Sequence, residues 1–223
     1  MSQHRNYIDD LMLTNLFSEI TPSEIEKLLD CTNASYVEYK KDEFIIEEGN
    51  RVNNFGIMLS GHGRSIKWDA SGRVITLTLL KKCSEIGVIV AAASGCKSPI
   101  SVQVTEDAIA LLIPFDRAVT PCDKLCPSHI KLIRNYISVI AENGIILHER
   151  IDCLLKPTVR EKILTYLKKK SAEHQSKQFS IPINRNSMAE YLNVERSALS
   201  RELSKMKKDG MIDYNRNNFI ILG

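Results

Sequence analysis

The feature that most restricts the fold of this chain is a series of apolar residues between positions 128 and 155. Ile130, Ile133, Ile137, Ile140, Gly144, Leu147, Ile151 and Leu154 step alternately by three and four. This is the a/d pattern of nearly four heptads, and so narrow a seam suits a second helix better than a broad core. The simplest second helix belongs to another copy of the chain, so these eight residues are the expected homodimer interface. Packing on the helix's own domain is the alternative, and Val139, Ile145 and Ile146, which lie off the seam, leave room for both. Lys156-Pro157 ends the helix, because a residue before proline is pushed out of the helical region. Thr158-Val159-Arg160-Glu161 then reads as a capping box that opens the next helix.

Upstream of the seam the pattern differs. Thr21-Pro22-Ser23-Glu24 starts a helix whose apolar face is Ile25, Leu28 and Leu29. From about residue 34 to 114, short β-rich runs at 36–39, 44–46, 55–59, 65–68, 74–80, 101–104 and 108–113 alternate with turn signals such as Ser60-Gly61-His62-Gly63. That spacing predicts an antiparallel sandwich or jelly roll. The expected fold class is α+β. A β-rich domain spans 1–122, the helix expected to pair in a dimer and a hinge 123–156, and a third domain 157–223.

Charge is unevenly divided. Residues 157–223 hold thirteen Lys or Arg and seven Asp or Glu, net +6, against 17 and 20, net −3, in the remainder. A basic C-terminal third points to a polyanion, nucleic acid first among candidates. No apolar stretch follows Met1-Ser2-Gln3-His4-Arg5, and no run approaches the roughly 18 apolar residues of a membrane span. A cytoplasmic protein without a membrane partner is the expectation. The six cysteines (Cys31, Cys83, Cys96, Cys122, Cys126, Cys153) are then free thiols or ligands rather than disulfides. The compact soft-ligand cluster is Cys122, Cys126 and His129, a candidate metal or redox site; incidental thiols are the competing reading. No nucleophile motif surrounds either cysteine, and an enzyme is not expected.

Within the basic third, residues 184–203 meet the demands of a helix-turn-helix. Ala189 is the small residue where two helices cross, and Asn193 tolerates the left-handed turn between them. Met188, Leu192, Val194, Leu199 and Leu203 have the spacing to dock both helices on a core. Arg196, Ser197, Ser200 and Arg201 then line the start and one face of the second helix, the face that enters a major groove, where Arg matches guanine O6 and N7. Arg185, Lys205, Lys207 and Lys208 are placed for phosphates. Residues 211–222 read as a β-hairpin wing around Asn215-Arg216-Asn217-Asn218.

With these parts in order, the chain resembles the Crp/Fnr family of bacterial transcription regulators along nearly its whole length. The resemblance implies a cyclic-nucleotide-binding-like β-roll, a dimerisation helix and a winged helix that binds a palindromic stretch of double-stranded DNA. RNA polymerase is a candidate further partner. Arg185, Arg196 and Arg201 match DNA-contacting positions of the family. Many members carry a base-reading Glu where this chain has Ser197, which implies a different operator at that step. Phe44-Ile45-Ile46-Glu47-Glu48-Gly49 and Gly56-Ile57-Met58-Leu59-Ser60-Gly61 resemble the family's strand-and-glycine framework. Family members that bind cyclic nucleotides have Gly-Glu, then Arg followed by Ser or Thr and Ala, in the phosphate cassette. Here Gly87-Val88-Ile89 and Ser98-Pro99-Ile100 stand there, a candidate effector pocket that lacks both the carboxylate and the guanidinium. Cyclic AMP is therefore not expected, and the effector is an unidentified small molecule or redox signal. A regulator without any effector is the alternative. The first thirty residues hold no cysteine, so the N-terminal iron–sulfur cluster of some members is not expected either.

Overall fold

The computed structural model describes residues 7–69, 71–72, 74–93, 95, 97–120, 126–181 and 183–222. The chain forms two compact units, Met1–Asn143 and Gly144–Gly223.

The first unit opens with α1 (Ile8–Met12), a 3-10 turn (Asn15–Phe17) and α2 (Pro22–Thr32). The predicted capping box of α2 forms: Glu24 Oε2 accepts from the Thr21 backbone N–H and from Thr21 Oγ, each at 2.9 Å. Eight strands follow: β1 (Ser35–Tyr39), β2 (Phe44–Ile46), β3 (Asn54–Ser60), β4 (Gly63–Trp68), β5 (Val74–Leu80), β6 (Glu85–Ile86), β7 (Ser101–Val104) and β8 (Ala108–Pro114). Two short helices, α3 (Val88–Ala92) and α4 (Phe115–Val119), flank the last pair. The strands build two antiparallel four-stranded sheets, ordered β1-β8-β3-β6 and β2-β7-β4-β5. One glycine shows why the framework residues are needed. A Cβ on Gly56 would lie 2.2 Å from the Leu111 carbonyl oxygen, so β3 and β8 approach this closely only with no side chain there.

Ile46, Met58, Leu80, Ile86, Val102, Val104, Ala108 and Ala110 form one buried cluster among the strands. A second cluster joins the N-terminal helices to sheet residues Phe55, Ile57, Leu111 and Ile113 and to the long helix α5 (Pro127–Leu154) through Leu132, Tyr136 and Val139. Polar contacts add direction to that apolar burial. Asn135 donates to the Leu16 and Ser18 carbonyls at 3.1 and 2.7 Å, and Lys131 donates to the Glu19 carbonyl at 2.9 Å.

The second unit contains the end of α5, then α6 (Val159–Glu173), β9 (Gln178–Ser180), α7 (Arg185–Leu192), α8 (Arg196–Lys208) and the hairpin β10 (Ile212–Asn215) and β11 (Asn218–Ile221). The three strands form one antiparallel sheet, ordered β10-β11-β9. Its core is Ile163, Tyr166, Leu167, Met188, Ala189, Leu192, Leu199, Leu203, Met206, Ile212, Phe219 and Ile221, with Cys153 of α5 buried among them. The architecture is the expected α+β one, with a β-roll, a long helix and a winged helix-turn-helix in that order along the chain.

Candidate nucleic-acid interface

Local sequence sets the geometry of α7 and α8. The Asn184 side chain caps α7 by accepting from the Ser187 N–H at 3.0 Å. At the other end Asn193 takes the left-handed conformation, φ 50° and ψ 58°, while Val194 N–H donates to the Ala189 carbonyl at 3.0 Å. Arg150 and Lys162 reach the same helix end, where the carbonyls carry partial negative charge. Arg150 Nε donates to the Tyr191 carbonyl at 3.2 Å, and Lys162 Nζ to the Leu192 carbonyl at 3.3 Å.

Turning the chain at Asn193 sends Leu199, Leu203 and Met206 of α8 into the core and leaves Arg196, Ser197, Ser200 and Arg201 exposed. Those four share the outward side of α8, as their spacing predicts. Ser204 continues the row one turn on, exposed, with its Oγ donating to the Ser200 carbonyl at 3.0 Å. Spacing from Ser197, Ser200 and Arg201 was the signal for it.

The basic residues assigned to phosphates divide into two sets. Lys205 and Lys208 are exposed near the end of α8. Lys207 is also exposed, but its ammonium pairs with the Asp213 carboxylate and lies 5.4 Å from the Tyr214 ring centroid. Arg185 is half-buried: a guanidinium N–H donates to the Arg216 carbonyl at 2.5 Å, and the group stacks over Tyr214 and Phe219 at 5.1 and 4.8 Å. Burial lowers its pKa, yet an arginine of this kind stays cationic. Arg185 thus holds the wing turn, where Arg216 is left-handed at φ 52°. Asn184, Arg185, Asn186, Arg196, Arg216 and Asn217 line a concavity of about 330 Å³. Arg185, Arg196 and Arg216 all border that hollow, the first with its guanidinium already engaged by the Arg216 carbonyl and the two rings. Arg216 went unassigned in the sequence because its neighbours come from elements about twenty to thirty residues away.

Along α5 the predicted seam is split. Ile130, Ile137, Leu147 and Ile151 are 60, 62, 50 and 51% exposed, whereas Ile133, Ile140 and Leu154 are half-buried and Gly144 is exposed. Ile140 packs against the first unit's own core. Of the off-seam residues, Val139 is buried, while Ile145 and Ile146 are exposed.

In the β-roll, Gly87 is left-handed at φ 67° and leads into α3, with Val88 buried and Ile89 exposed. Ser98 is buried and spends its hydroxyl on the Ile100 carbonyl at 2.6 Å; Pro99 is exposed and Ile100 half-buried. The contact that sequence did not suggest is Tyr136, whose buried hydroxyl donates to the Val88 carbonyl at 2.5 Å with its ring edge-on to Phe55. Burial raises the pKa of that phenol above its ordinary value. Two concavities of about 250 and 240 Å³ flank residues 51–53. Glu47, Asn50, Asn54 and Ile86 contribute to the first, Ala91, Phe115 and Asp116 to the second, and none of the six predicted pocket residues lines either.

Cys122 of the candidate soft-ligand cluster lies outside the described residues. His129 is buried with Nδ1 unpartnered, and its backbone N–H donates to the Cys126 carbonyl at 3.0 Å. Among the described residues no group of three or more His, Cys, Asp or Glu is arranged to hold a metal ion. None of the described helices is long and apolar enough to cross a membrane.

A β-roll followed by a long helix and a winged helix-turn-helix defines a DNA-binding transcription regulator with an effector-binding domain. Residues 36–119 match the cyclic nucleotide-binding domain, and residues 161–223 match the Crp-like helix-turn-helix domain. The chain belongs to the Crp/Fnr family of transcription regulators. Among solved structures it is similar to a CooA variant from Carboxydothermus hydrogenoformans, at 17% identity and TM-score 0.64, covering 95% of this chain and 91% of that one. It is also similar to the Thermus thermophilus catabolite activator protein, at 18% identity and TM-score 0.56, covering 93% of each. FixK2 from Bradyrhizobium japonicum matches at 18% identity and TM-score 0.55, covering 85% of this chain and 93% of that one. At these identities the likeness concerns the fold. No curated protein matches the sequence.

Proposed function

We propose that this chain acts as a homodimer that reads a palindromic operator, under the control of an effector other than cyclic AMP that acts through the β-roll. The observation that carries the reading is the exposed row on α8, a helix whose opposite side is fully buried. Arg196, Ser197, Ser200 and Arg201 are the residues assigned to base edges, with Arg201 as the main discriminator. Lys205, Lys208 and the hollow around Arg216 are assigned to the backbone phosphates. The exposed isoleucines of α5 support pairing of two chains, which sets two recognition helices about 34 Å apart on successive half-sites. The case against cyclic AMP rests on Val88 and on the Ser98-Pro99-Ile100 stretch, where a carboxylate for the ribose and a guanidinium for the phosphate are absent. A charge-assisted bond of the second kind is worth about 1.5–3 kcal/mol. Cytoplasmic location follows from the function.

The test is a selection of duplexes from a randomised palindromic pool, followed by affinity measurement across a salt series. Arg201→Ala is expected to abolish discrimination between the selected and a scrambled duplex. Lys205→Ala is expected to weaken both alike and to reduce the salt slope by about 1. Failure of the wild-type protein to enrich any sequence, with or without oxidant or cell extract, would sink the reading.

A further inference from the structure

We infer that Arg160 is a positioning residue for DNA reading, a two-point clamp that sets the roll of α8 and with it the aim of Arg201. Arg160 stands in the first turn of α6, between the two residues of the capping box. There Thr158 Oγ accepts from the Glu161 N–H at 3.2 Å and the Glu161 carboxylate accepts from the Thr158 N–H at 3.2 Å. From that fixed start the guanidinium reaches across to α8. Its Nε donates to Glu202 Oε1 at 2.5 Å, and its Nη1 pairs with Asp209 Oδ2 at 2.7 Å.

Glu202 of α8 and Asp209, the residue that caps its C-terminal end, are seven residues or two helical turns apart, and so lie on one side of the helix. A single contact would leave the helix free to roll about it; contacts two turns apart do not. Glu202 directly follows Arg201, so about 100° of helix rotation separates them, and a Glu202 held towards α6 turns Arg201 outward. Apolar packing of α8 through Leu199, Leu203 and Met206 holds the unit together without directional preference. The charged clamp supplies that direction. Arginine suits it because a planar fork serves two carboxylates at once, which a lysine ammonium on a flexible stem does not. The Glu202 side chain is 19% exposed, so the pair is partly shielded from screening.

The inference rests on the assignment of Arg201 to the bases, and the test separates the two. The ratio of affinities for the selected and the scrambled duplex is measured for wild type, Arg160→Lys, Glu202→Gln and Arg201→Ala, with thermal unfolding of each. Arg160→Lys keeps the charge but not the second contact, and is expected to lower the ratio about tenfold, within the worth of one mismatched base pair. Affinity for the scrambled duplex, its salt slope and the unfolding transition are expected to stay as in wild type. Glu202→Gln is expected to lower the ratio in the same direction and decides the matter if Arg160→Lys does not fold. An unchanged ratio in the deciding variant overturns the clamp, as does an equal loss on both duplexes that tracks loss of folded protein. A lowered ratio for Arg160→Lys with an unchanged one for Arg201→Ala keeps the control of the roll of α8 by Arg160 and overturns the Arg201 assignment, and with it the claim that Arg201 is what the clamp aims.

Discussion

Asn193 shows what one residue can decide. It is exposed and left-handed, and the chain reversal it permits is what directs α8 back across α7. Any residue with a branched β-carbon is strained at this φ by roughly 1–2 kcal/mol. Asn193→Val is therefore expected to lower unfolding stability by about that amount, with Asn193→Gly close to wild type. Urea unfolding of the three proteins checks it, and equal midpoints for Val and Gly would show the turn conformation to be unimportant. Asn193 was legible in the sequence because its role is local. Arg185 was legible only as a basic residue: its engagement with Arg216 and the Tyr214 and Phe219 rings depends on residues about thirty positions away.

At the scale of elements, seven strands were readable to within one or two residues, since alternation and turn residues are short-range signals. The two-residue β6 and the five-residue α3 and α4 were not, because no periodicity can be read over so few positions. The join between α8 and the wing is likewise a tertiary matter. Lys207 donates to Asp213, which also accepts from the Tyr214 N–H, and the two bonds lower the Asp213 pKa below its ordinary 3.8, Lys207 being the larger cause. The folded carboxylate thus titrates below the unfolded one. Its contribution is fully present above the ordinary value and is lost as pH falls through the lowered one. Carboxyl NMR titration should place the Asp213 midpoint below 3.8, moving upward in Lys207→Met; a midpoint indifferent to that substitution would remove Lys207 as the cause.

For the molecule as a whole, the open question in the sequence was what covers the α5 seam. Ile133, Ile140 and Leu154 pack at least partly on their own chain, and Ile130, Ile137, Leu147 and Ile151 remain exposed. Large apolar side chains left open at heptad spacing along one helix are what a paired helix would cover. Ile137→Glu is expected to convert a dimer to monomer in sedimentation equilibrium and to weaken binding to a palindrome far more than to a single half-site. A wild-type protein already monomeric at micromolar concentration would exclude the seam as a dimer interface.

By itself the sequence determined the kinds and order of the longer elements, together with several of the turn and capping residues that start and stop them. Those follow from backbone sterics and from periodicities of two and 3.6 residues, which operate within one element. Only the tertiary structure decided which charged side chains stay open to a partner. Arg160, Arg185 and Lys207 are basic in the same sense as Arg201, Lys205 and Lys208, yet their charges are claimed by carboxylates, a carbonyl and aromatic rings of other elements. A cation is attracted to whatever acceptor the fold brings within a few ångströms, and that distance is not written in the spacing of the chain.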